Sequence, residues 1–243
     1  MVGELSNGPA EAWIAVLRSD IARGAEHKSP CCVARMGYGE IIGTAHQRSV
    51  QDDIQIDAPG YTAYVDKVSL ERMRSRGEDP EKNLQRSIEA DNALIEGFPG
   101  VTFGIHVCRG NARTTDPITG KLVPQWHREG SYDAIAERLF NSLKHHRLLL
   151  EYDSERAGSF EPLRLVPKEK VVVLGLVTTK SADLESVDYL KRRIEQASKY
   201  LPIDQLALSP QCGFGGIDSK VMSEEEMWRK LDRIVDTAAQ VWR

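Results

Sequence analysis

The sequence predicts an α/β fold in which short strands alternate with amphipathic helices around a parallel sheet. The chain has 243 residues, of which 41% are hydrophobic and 28% are charged, which is enough to bury one sizeable core. Its apolar residues alternate between short β-like runs and stripes at helical spacing, repeated five times. This order is typical of β/α units, whose strands lie side by side and parallel.

Five short apolar runs are predicted as strands, at residues 54–56, 101–105, 148–150, 171–177 and 206–208. The fourth is almost entirely apolar, as expected for a parallel strand that is covered on both faces. Two histidines, His145 and His146, precede the third run, at the end of the strand where functional groups are not expected. We therefore expect both histidines at the surface.

Helices are predicted between these strands from apolar residues three or four positions apart. The stripes run over residues 84–95, 135–143, 184–197 and 227–241. Ser181 is the expected N-cap of the third helix. Ser223, followed three residues later by Glu226, forms the capping-box pattern that marks the start of the last helix.

Residues 24–52 do not fit the β/α pattern. They separate a predicted helix at 10–23 from the first strand and contain Cys31 and Cys32, to which we assign no role, but no clear hydrophobic period. A connection between elements is usually only a few residues long. The segment is a long surface insertion, a disordered stretch or an artefact of gene prediction, and the last two are favoured. We therefore divide the chain into residues 1–52 and a β/α portion at 53–243.

Composition excludes several functional classes. The formal net charge is −4 at pH 7, with acidic and basic residues interspersed and no basic stripe of the kind that binds nucleic acid. No apolar run is long enough to span a membrane, and residues 1–9 lack the order of a secretory signal. The four cysteines do not have the spacing of a disulfide scaffold. We expect a cytoplasmic protein whose thiols are available to a metal.

His106 and Cys108 stand two positions apart at the end of the second strand. Side chains alternate between the faces of a strand, so these two point the same way. In parallel β/α folds functional groups gather at the carboxyl ends of the strands. An imidazole and a thiolate placed together there can bind zinc. For this pair alone, a half-buried histidine beside a core cysteine is the favoured alternative.

Glu151 and Cys212 end two further strands and are expected at the same rim. The alternative for Glu151 is a salt bridge with a nearby arginine, and the alternative for Cys212 is an ordinary buried cysteine. Together with His106 and Cys108 they supply one nitrogen, two sulfurs and one oxygen, which is a tetrahedral zinc set. The carboxylate could give its place to an incoming thiol, whose pKa zinc lowers.

Several segments occur in an order that is found in one protein family. They read IQIDAPGYTAYVD, FGIHVCRGN, LLLEYDSERAG, KVVVLGLVTTKSADLES and LALSPQCGFGG. Through them, residues 53–243 resemble the catalytic C-terminal domain of cobalamin-independent methionine synthase, and more closely its shorter methionine synthase II-like and epoxyalkane:coenzyme M transferase-like branch. The resemblance implies a (β/α)8 TIM barrel, of which about five C-terminal β/α units are present in this chain.

The resemblance also implies roles for individual residues. Zinc, the expected cofactor, would be bound by His106, Cys108, Glu151 and Cys212, and Asp57 would hold the amino group of homocysteine. The implied function is methionine biosynthesis by a zinc-dependent S-methyltransferase that transfers a methyl group to homocysteine.

The family's full-length members carry a histidine after the fourth strand, where this chain has Thr178, Thr179 and Lys180. The alkyl donor therefore stays open between a folate, a corrinoid protein and an epoxide. Lys180 is a candidate to bind an anionic substrate group, and a solvated lysine at the start of a helix is the alternative. The alternative functions are an epoxyalkane:coenzyme M-type thiol alkyltransferase and an inactive truncated relative.

Five predicted strands are fewer than the eight of a closed barrel. Either an N-terminal half is missing from this chain, or another subunit closes the sheet in an oligomer. The expected partners are a small-molecule thiol and an alkyl donor, with no nucleic acid and no membrane.

Overall fold

The protein is described here by a computed structural model that covers residues 53–110, 113–120, 122–124, 128–211, 214 and 221–242. The predicted helix at 10–23, the segment 24–52, and with them the division of the chain at residue 52, lie outside the described residues. Among those residues, no helix has both the length and the apolar composition needed to cross a membrane.

A parallel sheet of five strands forms the centre of the fold, in the order β1-β2-β5-β6-β7. All five predicted strands are present within two residues of their predicted bounds, and the α/β fold class is confirmed. A short antiparallel hairpin of β3 and β4, which the sequence did not predict, forms part of the chain segment that connects β2 to β5. The strands are β1 (Asp53–Asp57), β2 (Thr102–Val107), β3 (Arg113–Thr115), β4 (Leu122–Pro124), β5 (Arg147–Glu151), β6 (Val171–Val177) and β7 (Leu206–Pro210).

In the part of the chain that the structure describes, five α-helices accompany the strands: α1 (Lys67–Ser75), α2 (Pro80–Leu94), α3 (Asp133–Ser142), α4 (Val187–Ala197) and α5 (Glu224–Val241). The sequence did not predict α1, none of whose side chains is fully buried. The β5–β6 connection contains two short 3-10 turns, Glu155–Ala157 and Glu161–Leu165. The capping box at the start of α5 is confirmed, since Ser223 and Glu226 each accept a hydrogen bond from the backbone N–H of the other.

The start of α4 differs from the prediction. Its N-cap is Ser186, whose hydroxyl accepts a hydrogen bond from the backbone N–H of Tyr189 at 3.1 Å, and not Ser181. Residues between β6 and Ser186 form a loop instead of a helical turn. Glu185 holds that loop by accepting hydrogen bonds from the backbone N–H of Thr178 and from the buried Lys230 ammonium. A tertiary contact therefore overrides the local helical pattern.

The two faces of the sheet differ in what covers them. One face packs against the helices and forms the large hydrophobic core, to which every helix except α1 contributes. On the opposite face Asp57, His106, Leu149, Val173 and Ala207 lie side by side in one row across the five strands. The last three form a small apolar cluster. The polar end of this row lies on β1 and β2, on the face that does not carry the helices.

His145 contradicts the expectation that both histidines before β5 lie at the surface. His146 is exposed, but His145 is fully buried, and neither of its ring nitrogens has a hydrogen-bond partner among the described residues. Burial, with the nearby Lys170 ammonium and His146, lowers the pKa of His145 to about 4. Lys170 is held there because it donates hydrogen bonds to the carbonyls of Leu143 and His145.

We expect this histidine to make the protein less stable as the pH falls from about 6.5 to about 4. In that range the unfolded chain binds a proton that folded His145 does not, so the free energy of unfolding falls by up to ~1.4 kcal/mol per pH unit. Urea unfolding at several pH values measures the slope. His145→Leu should flatten it, whereas the matched change at the exposed neighbour, His146→Leu, should not. Equal slopes in all three proteins would contradict the assignment.

Candidate metal centre

Asp57, His106 and Cys108 meet at the carboxyl ends of β1 and β2. Each offers a ligand atom, and the three atoms all lie within 4.8 Å of one another. His106 and Cys108 are 5% and 2% exposed, so these two side chains are shielded from bulk water, whereas the Asp57 side chain is 21% exposed. The structure thus places His106 and Cys108 together on one face, as their spacing predicts, and adds Asp57 to them.

The strand register explains why Asp57 joins the pair. Asp57 and His106 are directly opposite in the β1–β2 pairing. The Nδ1 atom of the His106 ring lies 2.8 Å from a carboxylate oxygen of Asp57. A carboxylate on one ring nitrogen fixes the orientation of an imidazole, and any metal would then be met by Nε2. The sequence assigned Asp57 to substrate alone and did not reveal this contact, because register is not visible in the pattern of one strand.

Glu151 lies beside this group but is held by other partners. Continuing the β2–β5 register by one residue places Glu151 next to Cys108. Its carboxylate accepts hydrogen bonds from the Arg109 backbone N–H at 2.7 Å and from the Arg156 guanidinium, with Nε at 2.9 Å. The Lys180 ammonium is 3.5 Å away. Among the described residues Glu151 is not part of the metal-competent group.

The surroundings of Glu151 favour its ionised form although the residue is 1% exposed. Burial by itself raises the pKa of this carboxyl group, but the charges of Lys180 and Arg156 and the hydrogen bond from Arg109 outweigh burial. The net result is a pKa below the ordinary value for glutamate. An ionised carboxylate at the rim is a competent metal ligand. Because the carboxylate is held by other partners in the structure, the role of Glu151 in binding zinc stays a prediction.

Lys180 makes two ion pairs at the same rim. Its ammonium lies 2.5 Å from the carboxylate of Asp153 and 3.5 Å from that of Glu151. The ammonium therefore joins two buried carboxylates, and any anionic substrate group would compete with them. Its predicted role in substrate binding remains a prediction.

Cys212, the fourth predicted ligand, lies outside the described residues, but its neighbour Gln211 is anchored to β6. The buried Gln211 side chain donates a hydrogen bond to the Gly175 carbonyl at 2.6 Å, and its backbone N–H donates to Val177. A Cβ atom on Gly175 would lie 2.0 Å from the amide nitrogen of Gln211, so the contact requires glycine there. The backbone that leads into Cys212 is thus fixed at the carboxyl end of β6.

Arg109 is a site-supporting residue that the sequence did not single out. It is fully buried, and its guanidinium donates hydrogen bonds to the carbonyls of Arg128 and Gly130 and to the hydroxyl of Tyr132. The guanidinium also lies 4.7 Å from the centre of the Tyr132 ring. Arg109 therefore fastens residues 128–132 to the strand ends beside the metal-competent group. Sequence reasoning that expects charged residues at the surface does not identify a buried arginine of this kind.

The chain is similar to known proteins both in sequence and in fold. Residues 142–240 match the family model described as the catalytic domain of cobalamin-independent synthase. The vitamin-B12 independent methionine synthase candidate from Listeria monocytogenes has a similar structure, with a TM-score of 0.61 at 26% identity over 85% of this chain and 53% of that one. The chain is related to the cobalamin-independent methionine synthases. Its five parallel strands correspond to part of a barrel of that family.

Two curated proteins are also similar in sequence to this chain. YxjG of Bacillus subtilis, an uncharacterized protein, is 39% identical over 193 residues, which cover 78% of this chain and 48% of YxjG. Methionine synthase of Pyrococcus abyssi is 23% identical over 168 residues, which cover 69% of this chain and 38% of that protein. The chain thus spans about half or less of the length of the curated relatives it matches.

Proposed function

We propose that the protein is a zinc-dependent S-methyltransferase that methylates homocysteine to methionine. The observation that carries the proposal is the meeting of the Asp57, His106 and Cys108 ligand atoms within 4.8 Å at the strand ends, in a chain related to methionine synthases. Nitrogen, sulfur and oxygen donors in a shielded site suit zinc better than magnesium or calcium.

His106 and Cys108, with Cys212 and Glu151, would hold the metal. Zinc supplies one thing when bound there: it keeps a substrate thiol as a nucleophilic thiolate at neutral pH. Burial of His106 and Cys108 limits the access of water that would compete with the thiol. What the polypeptide contributes is the orientation of the imidazole and the placement of the substrate beside it.

Asp57 serves two purposes in this proposal. One carboxylate oxygen orients the His106 ring, as its 2.8 Å contact with Nδ1 supports. The carboxylate charge also suits the ammonium group of homocysteine, as the family resemblance implies. A single side chain would then align the metal ligand and the amino acid substrate.

Two substitutions of Asp57 separate these purposes. Asp57→Ala removes both, so zinc affinity should fall by about 10–100-fold and the KM for homocysteine should rise. Asp57→Asn keeps an oxygen for the His106 N–H but loses the charge, so its KM should rise while zinc affinity changes less. Chelator competition and initial rates provide the measurements. If zinc affinity were unchanged in Asp57→Ala, Asp57 would not orient the imidazole.

The reaction itself is tested by thiol consumption. The zinc-loaded chain is incubated with three substrate pairs. Homocysteine is combined with a methyltetrahydrofolate in the first and with methylcobalamin in the second, and coenzyme M is combined with an epoxyalkane in the third. We expect zinc-dependent loss of homocysteine thiol and formation of methionine with one of the methyl donors. Turnover with coenzyme M and epoxide alone would establish the thiol alkyltransferase alternative instead. No turnover with any pair, at full zinc content, would overturn the proposed activity of this chain.

A further inference from the structure

Arg128 has a strained backbone close to the metal-competent group. Its φ is +54°, and among the described residues it is the one residue other than glycine with a positive φ. Residues with a side chain rarely adopt this conformation, and those that do are held there by their surroundings, often at a binding site. We propose that Arg128 binds the carboxylate of the amino-acid thiol substrate, beside the ammonium group that Asp57 would bind. The inference rests on the proposed function and names the residue that selects a thiol carrying a carboxylate.

The backbone around Arg128 is fixed by contacts with three neighbouring segments. The buried Arg109 guanidinium donates hydrogen bonds to the carbonyls of Arg128 and Gly130. The backbone N–H of Gly130 donates to the carbonyl of Arg156 at 3.0 Å. A Cβ atom on Gly130 would lie 2.4 Å from the carbonyl oxygen of Val65, so the chain passes very close to the segment that follows β1. Residues 128–130 are therefore held between the segments that follow β1, β2 and β5.

The Arg128 side chain reaches the rim that carries the metal-competent group. Its Nη1 atom donates a hydrogen bond to the carbonyl of Pro59 at 2.6 Å, two residues after Asp57 in the chain. The hydroxyl of Thr62 lies 3.1 Å from the same carbonyl and 2.9 Å from the carbonyl of Cys108. Pro59 and Thr62 thus connect the guanidinium to the backbone of Cys108. Among the described residues, the guanidinium makes no further hydrogen bond or ion pair, so its other N–H groups can meet a ligand.

The chemistry of a guanidinium suits this role. It is planar and permanently charged, and two of its N–H groups can bind the two oxygens of one carboxylate. Homocysteine carries its ammonium and carboxylate groups on the same carbon atom. A carboxylate from Asp57 and a guanidinium from Arg128, placed on neighbouring parts of one rim, would bind these two opposite charges together. The pair would then favour an α-amino acid over a thiol that carries an amine alone.

The test compares the binding of two thiols to the zinc-loaded chain by titration calorimetry. The thiols are homocysteine and aminopropanethiol, which is homocysteine without its carboxylate. Arg128→Gln should weaken the binding of homocysteine by about 10–100-fold and that of aminopropanethiol by less than about twofold, since only homocysteine loses a charge-assisted hydrogen bond. Arg138→Gln, at an arginine whose side chain is 43% exposed and pairs with Glu81, is the matched control and should change neither affinity.

Equal losses of affinity for the two thiols would show that Arg128 is merely structural and would overturn the inference, as would an unchanged affinity for homocysteine. Arg128→Gly gives the same comparison if Arg128→Gln fails to fold, because glycine adopts a φ of +54° without strain. Failure of the proposed function is distinguishable. A wild-type chain that binds neither thiol overturns both proposals, whereas homocysteine binding and methylation that do not depend on Arg128 overturn this inference alone.

Discussion

Replacing Cys108 with serine is expected to lower zinc affinity by more than about 100-fold and to abolish thiol alkylation. A serine hydroxyl stays protonated at neutral pH and is a weak zinc ligand, whereas a cysteine thiolate is a strong one. Residue 108 is 2% exposed and lies near His106 in space, so a water molecule or other ligand from the solvent cannot easily replace the lost sulfur. Zinc content after dialysis and chelator competition measure the change.

Matched cysteine changes provide the control for this experiment. Cys31→Ser and Cys32→Ser remove thiols to which the sequence assigns no role, and both should retain zinc and activity. Serine is close to cysteine in size, so we expect Cys108→Ser to remain folded. Unfolding in urea checks this. If zinc content in Cys108→Ser equalled that of the two control variants, Cys108 would not be a ligand and the proposed metal centre would fail.

Replacing Arg109 with methionine is expected to lower the free energy of unfolding by about 3–5 kcal/mol. Methionine fills much of the same space but donates no hydrogen bonds. The carbonyls of Arg128 and Gly130 and the hydroxyl of Tyr132 would each lose a donor. Buried polar groups left without partners account for most of such losses. Urea unfolding monitored by tryptophan fluorescence gives the difference.

Arg138 is the appropriate comparison because it is an arginine whose charge pairs with Glu81 in solvent. The two side chains are 43% and 74% exposed. Arg138→Met should therefore change the free energy of unfolding by less than about 1 kcal/mol. Similar losses in the Arg109 and Arg138 variants would show that the buried hydrogen bonds of Arg109 contribute little.

Much of the scaffold was predictable from sequence because it depends on local periodicity. The apolar runs give the five parallel strands, and the spacing of Ser223 and Glu226 gives the start of α5. The position of His106 and Cys108 at one strand end likewise predicts that they share a face. These properties follow from alternation along a single element, which a single sequence contains.

The remaining features depend on contacts between distant segments, which periodicity does not encode. The fixation of Glu151 by Arg156 and Lys180 depends on the turn after β5 and the loop after β6. The burial of His145 depends on packing at the end of the sheet opposite the site, where the sequence analysis expected surface residues. Sequence thus indicated which side chains could form a site, but not which partners each of them has.

The close approach of Gln211 to Gly175 links the residue types that these two positions can hold. Any side chain at position 175 would occupy the space of the Gln211 amide, which lies 2.0 Å from the place a Cβ would take. That amide is the far end of a flexible side chain, so a methyl group at position 175 would displace it and break its 2.6 Å hydrogen bond to the carbonyl of residue 175. We expect the two positions to change together among relatives, because a side chain at position 175 and the hydrogen bond of Gln211 exclude each other.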